Sequence, residues 1–285
     1  MAARVFRDYD QAALDRAYEQ GVWAGNAAEV VARYGSASAV VRSRLRCHRD
    51  VPYGVTAAEV LDIFPAARPG APVQVFIHGG AWQLLSKDES CFAAETFVQA
   101  GACFVALNFA NIPAVRLPDM VAQVRRGLAW VARNIAAFGG DPARIFLSGH
   151  SSGGHLAAMA LITDWSAHGL PADTIKGGLC ASGMYDLAPV MLSARRHYLG
   201  LTDAEIAALS PIRHLAQLAC PVLVGRGGPE SPEFIRHADA FATALAGRLA
   251  GQVICPAHNH FEVVETLASP HFGLGQAVLR QMGLA

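Results

Sequence analysis

The chain has 285 residues, sets 23 Lys and Arg against 23 Asp and Glu, and is 53% hydrophobic but only 16% charged. That balance excludes a disordered chain, which has few apolar residues and a high net charge, and a nucleic-acid binder, which has a basic excess. It does not signal a membrane protein, because the richest apolar run, Leu156–Ile162, falls far short of the roughly 18 residues a spanning helix needs.

The first fifty residues are helical in pattern at Gln11–Gln20 and Ala27–Tyr34, and more charged than the rest of the chain. They predict an N-terminal helical segment, either a cap over one end of a sheet or padding on its outside. The opening Met-Ala-Ala-Arg-Val-Phe-Arg-Asp is broken by charge and lacks the apolar middle of a signal peptide. Six cysteines (Cys47, Cys91, Cys103, Cys180, Cys220, Cys255) include no CxxC pair. They read as reduced thiols, which with the N-terminus predicts a soluble cytoplasmic protein.

The first clear strand is Val73–Ile77, and His78-Gly79-Gly80-Ala81-Trp82 follows it directly. This matches the HGG loop of esterases and lipases, in which glycines turn bare N–H groups toward a reacting carbonyl oxygen. Gly79 and Gly80 are therefore candidate oxyanion-hole donors, with His78 a residue that ties the loop down. The next strand is Cys103–Asn108. A helix over Pro118–Phe138 carries Val121, Val124, Leu128, Val131 and Ile135 on one stripe, with Pro118 in its first turn and Gly139 as its stop.

Strand Ile145–Ser148 runs into Gly149-His150-Ser151-Ser152-Gly153-Gly154, and a helix opens near Ser151. Strand, sharp turn and helix form the context of a G-x-S-x-G nucleophile elbow. Glycines on either side let strand and helix pass closely. The turn lifts Ser151 Oγ above the sheet and leaves the Ser152 N–H at a helix N-terminus, where an oxyanion is favoured.

In this topology an acid and then a histidine follow the nucleophile. After strand Gly178–Ala181 comes Asp186, which reads as a turn cap. After strand Val222–Gly225 comes Gly227-Gly228-Pro229-Glu230-Ser231-Pro232-Glu233. Glu230 precedes a helix predicted over Pro232–Leu245, with Ser231 as its cap, and is the preferred acid; Glu233 and Asp239 fall inside that helix. The last strand is Gln252–Cys255, and His260 in the loop behind it is the preferred base over His258. Apolar strands alternating with helices predict an α/β fold with a mostly parallel sheet covered on both faces, one domain over residues 1–285. No phosphate loop, dinucleotide fingerprint or metal-ligand cluster is visible, so no cofactor is expected and no metal.

Together these motifs resemble the α/β-hydrolase superfamily, and more narrowly its arylformamidase (kynurenine formamidase) and small carboxylesterase group. The resemblance rests on His78–Trp82, on Gly140-Asp141-Pro142 through Ile145 to His155, on Glu230–Phe234 with His260-Phe261-Glu262, and on Tyr9-Asp10-Gln11 with Leu14-Asp15. Three departures stand out. Glu230 replaces the group's usual Asp, Ala81 stands where an aromatic residue or glycine is frequent, and Asn108-Phe109 replaces Asn-Tyr. The resemblance implies a serine hydrolase of a small acyl amide or ester, an aryl formamide such as N-formylkynurenine first and a short-chain ester as the alternative. It implies Ser151, Glu230 and His260 as the catalytic residues and Gly79, Gly80 and Ser152 as the oxyanion hole. Trp82, Phe109, Tyr185 and Phe234, aromatic residues near these loops, are expected to line the pocket. The expected partner is a small molecule, with no nucleic acid and no membrane; a homodimer is open.

Overall fold

In the computed structural model, which describes residues 3–285, eight strands succeed one another along the described residues. Met1 and Ala2, at the start of the N-terminal segment and of the expected 1–285 domain, lie outside them. The strands are β1 (His48–Pro52), β2 (Val60–Phe64), β3 (Ala71–Ile77), β4 (Cys103–Leu107), β5 (Gly140–His150), β6 (Ile175–Ala181), β7 (Val222–Gly227) and β8 (Leu249–Cys255). They form one sheet in the order β1-β2-β4-β3-β5-β6-β7-β8. From β4 to β8 all neighbours are parallel, while β1 and β2 are added antiparallel at one edge.

The parallel core forms for the reason its sequence suggests. Strands buried on both faces lose few polar contacts to water when their residues are apolar; all seven residues of β3 and all five of β4 are buried, and Gln74, the polar exception in β3, donates to Ser148 Oγ at 2.8 Å. The helix Leu117–Asn134, extended by a 3-10 turn to Phe138, buries Val121, Val124, Leu128 and Val131 on one stripe. Gly139 then ends it at φ 85°, where a left-handed residue is needed. A second apolar layer, built around Phe64, Phe76, Phe97 and Phe104, covers the opposite face.

The strands β1 and β2 were not expected. Strand β1 is half-exposed and charged, and β2 carries Asp62 in its middle. A buried carboxylate is tolerated there because Lys87 Nζ lies 3.0 Å from Asp62 and Arg42 Nε 3.1 Å away, which is the pairing a buried charge requires. The N-terminal helix pattern is longer than anticipated, running over Ala27–Arg44. Short helices at Leu187–Val190, Arg196–Leu199 and Asp203–Ala208 fill the connection between β6 and β7. No helix among the described residues is long and apolar enough to cross a membrane.

Candidate active site

The chemistry-bearing residues collect at the carboxyl ends of β3, β5, β6, β7 and β8, which is where open parallel sheets place ligands. Ser151 sits between β5 and the helix Ser152–Leu161 at φ 56° and ψ −123°. That backbone is strained for any residue with a Cβ, at a cost of about 1–3 kcal/mol. Close approach of the flanking glycines makes the turn possible: a Cβ on Gly149 would lie 2.1 Å from the Gly153 carbonyl oxygen. The Ser151 N–H is tied to the Ala181 carbonyl at the end of β6.

His260 joins Ser151 to Glu230. Its Nε2 is 3.1 Å from Ser151 Oγ and its Nδ1 is 3.1 Å from Glu230 Oε2. A carboxylate only accepts, so Nδ1 carries the proton and Nε2 presents its lone pair to the serine hydroxyl, the polarity needed to remove a proton from Oγ. All three residues are buried. The second oxygen of Glu230 accepts from Ser182 Oγ and from the Gly227 N–H, each at 2.6 Å. Burial pushes the Glu230 carboxyl up, but His260, the Ser182 hydroxyl and the Gly227 N–H outweigh it and hold the group below the usual carboxylate range. These bonds also explain how glutamate fits an aspartate's place: Oε1 is anchored on Ser182 and Gly227 while Oε2 reaches the imidazole.

The other candidates lie elsewhere. Asp186 caps the helix Leu187–Val190 and pairs with Arg213 at 2.9 Å. Glu233 accepts from Tyr18 and Arg236, and Asp239 pairs with Arg226 at 3.3 Å. The ring of His258 lies beside Phe272, and the His258 backbone braces the Gly228 turn.

The HGG loop crosses the end of β3 beside the elbow. Gly80 has φ 110°, and a Cβ there would lie 2.0 Å from the Leu84 carbonyl oxygen. The N–H groups of Gly80 and Ser152 donate to no acceptor among the described residues. His78 donates Nδ1–H to the Gly79 carbonyl at 2.8 Å and stacks on Phe109 at 4.2 Å, which holds the loop in place. Ser152 Oγ accepts from the Trp82 N–H, locking loop to elbow.

Sequence reasoning passed over His150, the residue between the first glycine and the nucleophile. Its Nε2 donates to the His260 carbonyl at 2.8 Å and so fixes the His260 backbone. Burial, with the neighbouring His260, lowers the His150 pKa to about 3, so the ring stays neutral.

A cavity of about 190 Å³ opens beside Ser151 and His260. Its lining corrects the expected aromatic one. Trp82, Phe109, Tyr185 and Phe234 are each at most 3% exposed, and none faces this cavity. Trp82 packs edge-on against His155, Phe109 against His78, Tyr185 against Phe241 and Phe234 against His260. Val31, Tyr34, Leu84, Leu85 and Phe261 form the apolar wall instead, and Glu19 and Arg195 bring the charge. Glu19, Val31 and Tyr34 belong to the N-terminal segment. Only their arrival in space, not their position in sequence, shows that they line the cavity beside Ser151. The Tyr34 hydroxyl is occupied by the Phe261 carbonyl.

Comparison with known proteins agrees with this geometry. The BD-FAE family model matches residues 61–171, from β2 through the elbow and its helix. A kynurenine formamidase of Danio rerio is 35% identical over 251 residues, covering 85% of this chain and 84% of that protein. One from Salmo salar is 34% identical over 244 residues, covering 82% and 81%. The crystal structure of a putative thioesterase from silicibacter sp. tm1040 superposes with a TM-score of 0.84 at 27% identity, covering 93% of this chain and 98% of that one. Identity at this level across more than four fifths of both partners means that the chain belongs to the kynurenine formamidase family, serine hydrolases of the α/β-hydrolase fold.

Proposed function

We propose that the protein hydrolyses an aryl formamide of the N-formylkynurenine type, with Ser151 as nucleophile, His260 as general base and acid, and Glu230 as the group that orients His260 and balances its charge. The observation that carries this is the unbroken Glu230–His260–Ser151 hydrogen-bond chain opening into a small, mostly apolar cavity. Family membership supports the same substrate class. Ser151 Oγ attacks the formyl carbon while its proton passes to His260 Nε2. The developing oxyanion is received by the N–H groups of Gly80 and Ser152, with Gly79 beside them. The C–N bond breaks as His260 returns the proton to the aniline nitrogen. Water, deprotonated by His260, then releases formate and restores the serine.

The wall of Val31, Tyr34, Leu84, Leu85 and Phe261 suits a single aromatic ring, and the N-terminal segment acts as a cap that supplies part of it. The same machinery would cleave a short acyl ester, and the triad alone does not separate the two. The comparison that does is kcat/KM for N-formylkynurenine against p-nitrophenyl acetate and butyrate. We expect the formamide to be turned over at least as efficiently as the acetate, and the butyrate to be disfavoured. Negligible formamide turnover beside rapid ester turnover would defeat the formamidase reading.

Gly80→Ala tests the oxyanion donors. The added Cβ clashes with the Leu84 carbonyl, so the loop must move and carry the Gly80 N–H with it. Losing one such donor lowers kcat by about 10²–10³-fold. A variant with wild-type kcat would show that the Gly80 N–H does not serve the transition state. The six unpaired cysteines, five of them buried, suit a reducing compartment and support a cytoplasmic location.

A further inference from the structure

The mostly apolar cavity wall carries two charged side chains, and neither has a partner of opposite charge among the described residues. Arg195 lines the cavity with Ser151 and His260. Its guanidinium is held by the protein, with Nε donating to the Tyr18 carbonyl at 3.2 Å and Nη1 to the Tyr198 hydroxyl at 2.9 Å. Nη2 donates to the same Tyr18 carbonyl. The Trp82 ring lies under it, 6.0 Å from centroid to Cζ. These contacts are to neutral groups. Among the described residues no carboxylate lies within 4.0 Å of Arg195, unlike the paired Arg42, Arg116 and Arg213. Glu19, from the N-terminal segment, lines the same cavity and likewise makes no ion pair among the described residues.

Five N–H donors are available to a guanidinium. Three fix its position, which leaves two directed by a rigid fork. A cation immobilised without a counter-charge beside a reaction centre is built to receive an anion, and a planar fork matches a carboxylate. A carboxylate facing the same space offers a place for a cation. We propose that Arg195 and Glu19 form a subsite for the head group of an α-amino acid carried by the leaving group, the α-carboxylate on Arg195 and the α-ammonium toward Glu19. This rests on the formamidase function proposed above and assigns the residues that hold the amino-acid end of that substrate. Arg195 bears the greater part of the selectivity, because Glu19 is exposed and its charge is screened.

The test compares N-formylkynurenine with 2-formamidoacetophenone, which keeps the aryl formamide and lacks the amino-acid head. The readout is the ratio of their kcat/KM values in wild type, Arg195→Met, Arg195→Lys and Glu19→Gln. Loss of a charge-assisted bond predicts a 10–100-fold fall of that ratio in Arg195→Met, carried mainly by KM. Arg195→Lys should recover part of it, and Glu19→Gln should lower it by about threefold. A merely structural role, through the Tyr18 carbonyl, lowers both rates together and leaves the ratio in place, which would overturn the proposal. If neither formamide is hydrolysed, the formamidase reading fails by itself. The subsite is then decided by inhibition of p-nitrophenyl acetate turnover. Kynurenine binding more tightly than 2-aminoacetophenone, with the advantage gone in Arg195→Met, upholds it, and equal inhibition constants refute it.

Discussion

Ser151→Ala is expected to lower kcat/KM for every acyl substrate by about 10⁴–10⁶-fold, leaving the residual rate that binding and the amide donors provide. It should also abolish covalent labelling by a fluorophosphonate. The substitution isolates chemistry from folding, because alanine keeps the Cβ and therefore keeps the strained backbone at φ 56°. Ser151→Gly should be as inactive yet more stable. It relieves a strain of about 1–3 kcal/mol and gives back part of that in chain entropy. A net gain of about 1 kcal/mol corresponds to about 2 °C in Tm for a chain of this size. The two variants make a sharp pair in calorimetry and steady-state kinetics. Retention of more than about one part in a hundred of activity in either, or continued probe uptake at Ser152, would move the nucleophile away from Ser151.

The second large effect is on stability against acid. Burial lowers the pKa of His78 to about 4, and that of His155 to about 4. Burial together with His260 lowers that of His150 to about 3. His237 is lowered as well, by burial and then by Arg236. In the fold these rings are neutral above those values, whereas in the unfolded chain they take up a proton near pH 6.5. Between the two values the unfolded state binds more protons, so stability falls as pH falls. Each such ring contributes a slope of about 1.4 kcal/mol per pH unit once the pH is below the unfolded value. For His78, His150 and His155 together that is about 5 kcal/mol between pH 6.5 and pH 5, comparable with the whole stability of a typical protein. The paired carboxylates Glu59, Asp88 and Glu230 are held below their usual range; they add their loss only below about pH 4.5, so the histidine window comes first. The urea midpoint should be flat above pH 7 and drop steeply toward pH 5. His155→Gln keeps a donor for the Leu209 carbonyl that His155 Nε2 now serves, and should make the drop about one quarter shallower, since four such rings contribute. A midpoint that holds constant from pH 7 to pH 5 would contradict the neutral buried imidazoles.

How much of this could be read from the chain depends on how local the cause is. The elbow is local: glycines two residues either side of Ser151 are required because strand and helix backbones nearly touch there, and that requirement is written in five letters. His260 and Glu230 were found by their position after the last two strands, since parallel strands deliver their following loops to the same end of the sheet. Strand β2 was missed because its central Asp62 is neutralised by Arg42 and Lys87, one on the preceding helix and the other beyond the next strand. The pocket aromatics were misplaced for a related reason. Trp82 adjoins the HGG loop, but the backbone turns to φ 62° at that residue and the indole ends packed inside, against His155. Part of the wall comes from Val31 and Tyr34, whose helix precedes the sheet and whose facing is decided only by tertiary packing.

The N-terminal segment that walls the cavity is also fastened to the acid loop. Gln20 donates to Ser231 Oγ at 2.7 Å, Ser231 Oγ donates to the Ala17 carbonyl at 2.6 Å, and Tyr18 donates to Glu233 at 3.0 Å. Ser231 directly follows Glu230. The segment that lines the cavity therefore also braces the loop that carries Glu230. A change of diet through this segment would not be a free exchange of one hood for another. Chimeras that graft a relative's first forty-odd residues onto this sheet should lose turnover on all substrates unless the Gln20–Ser231 and Tyr18–Glu233 contacts are grafted with them.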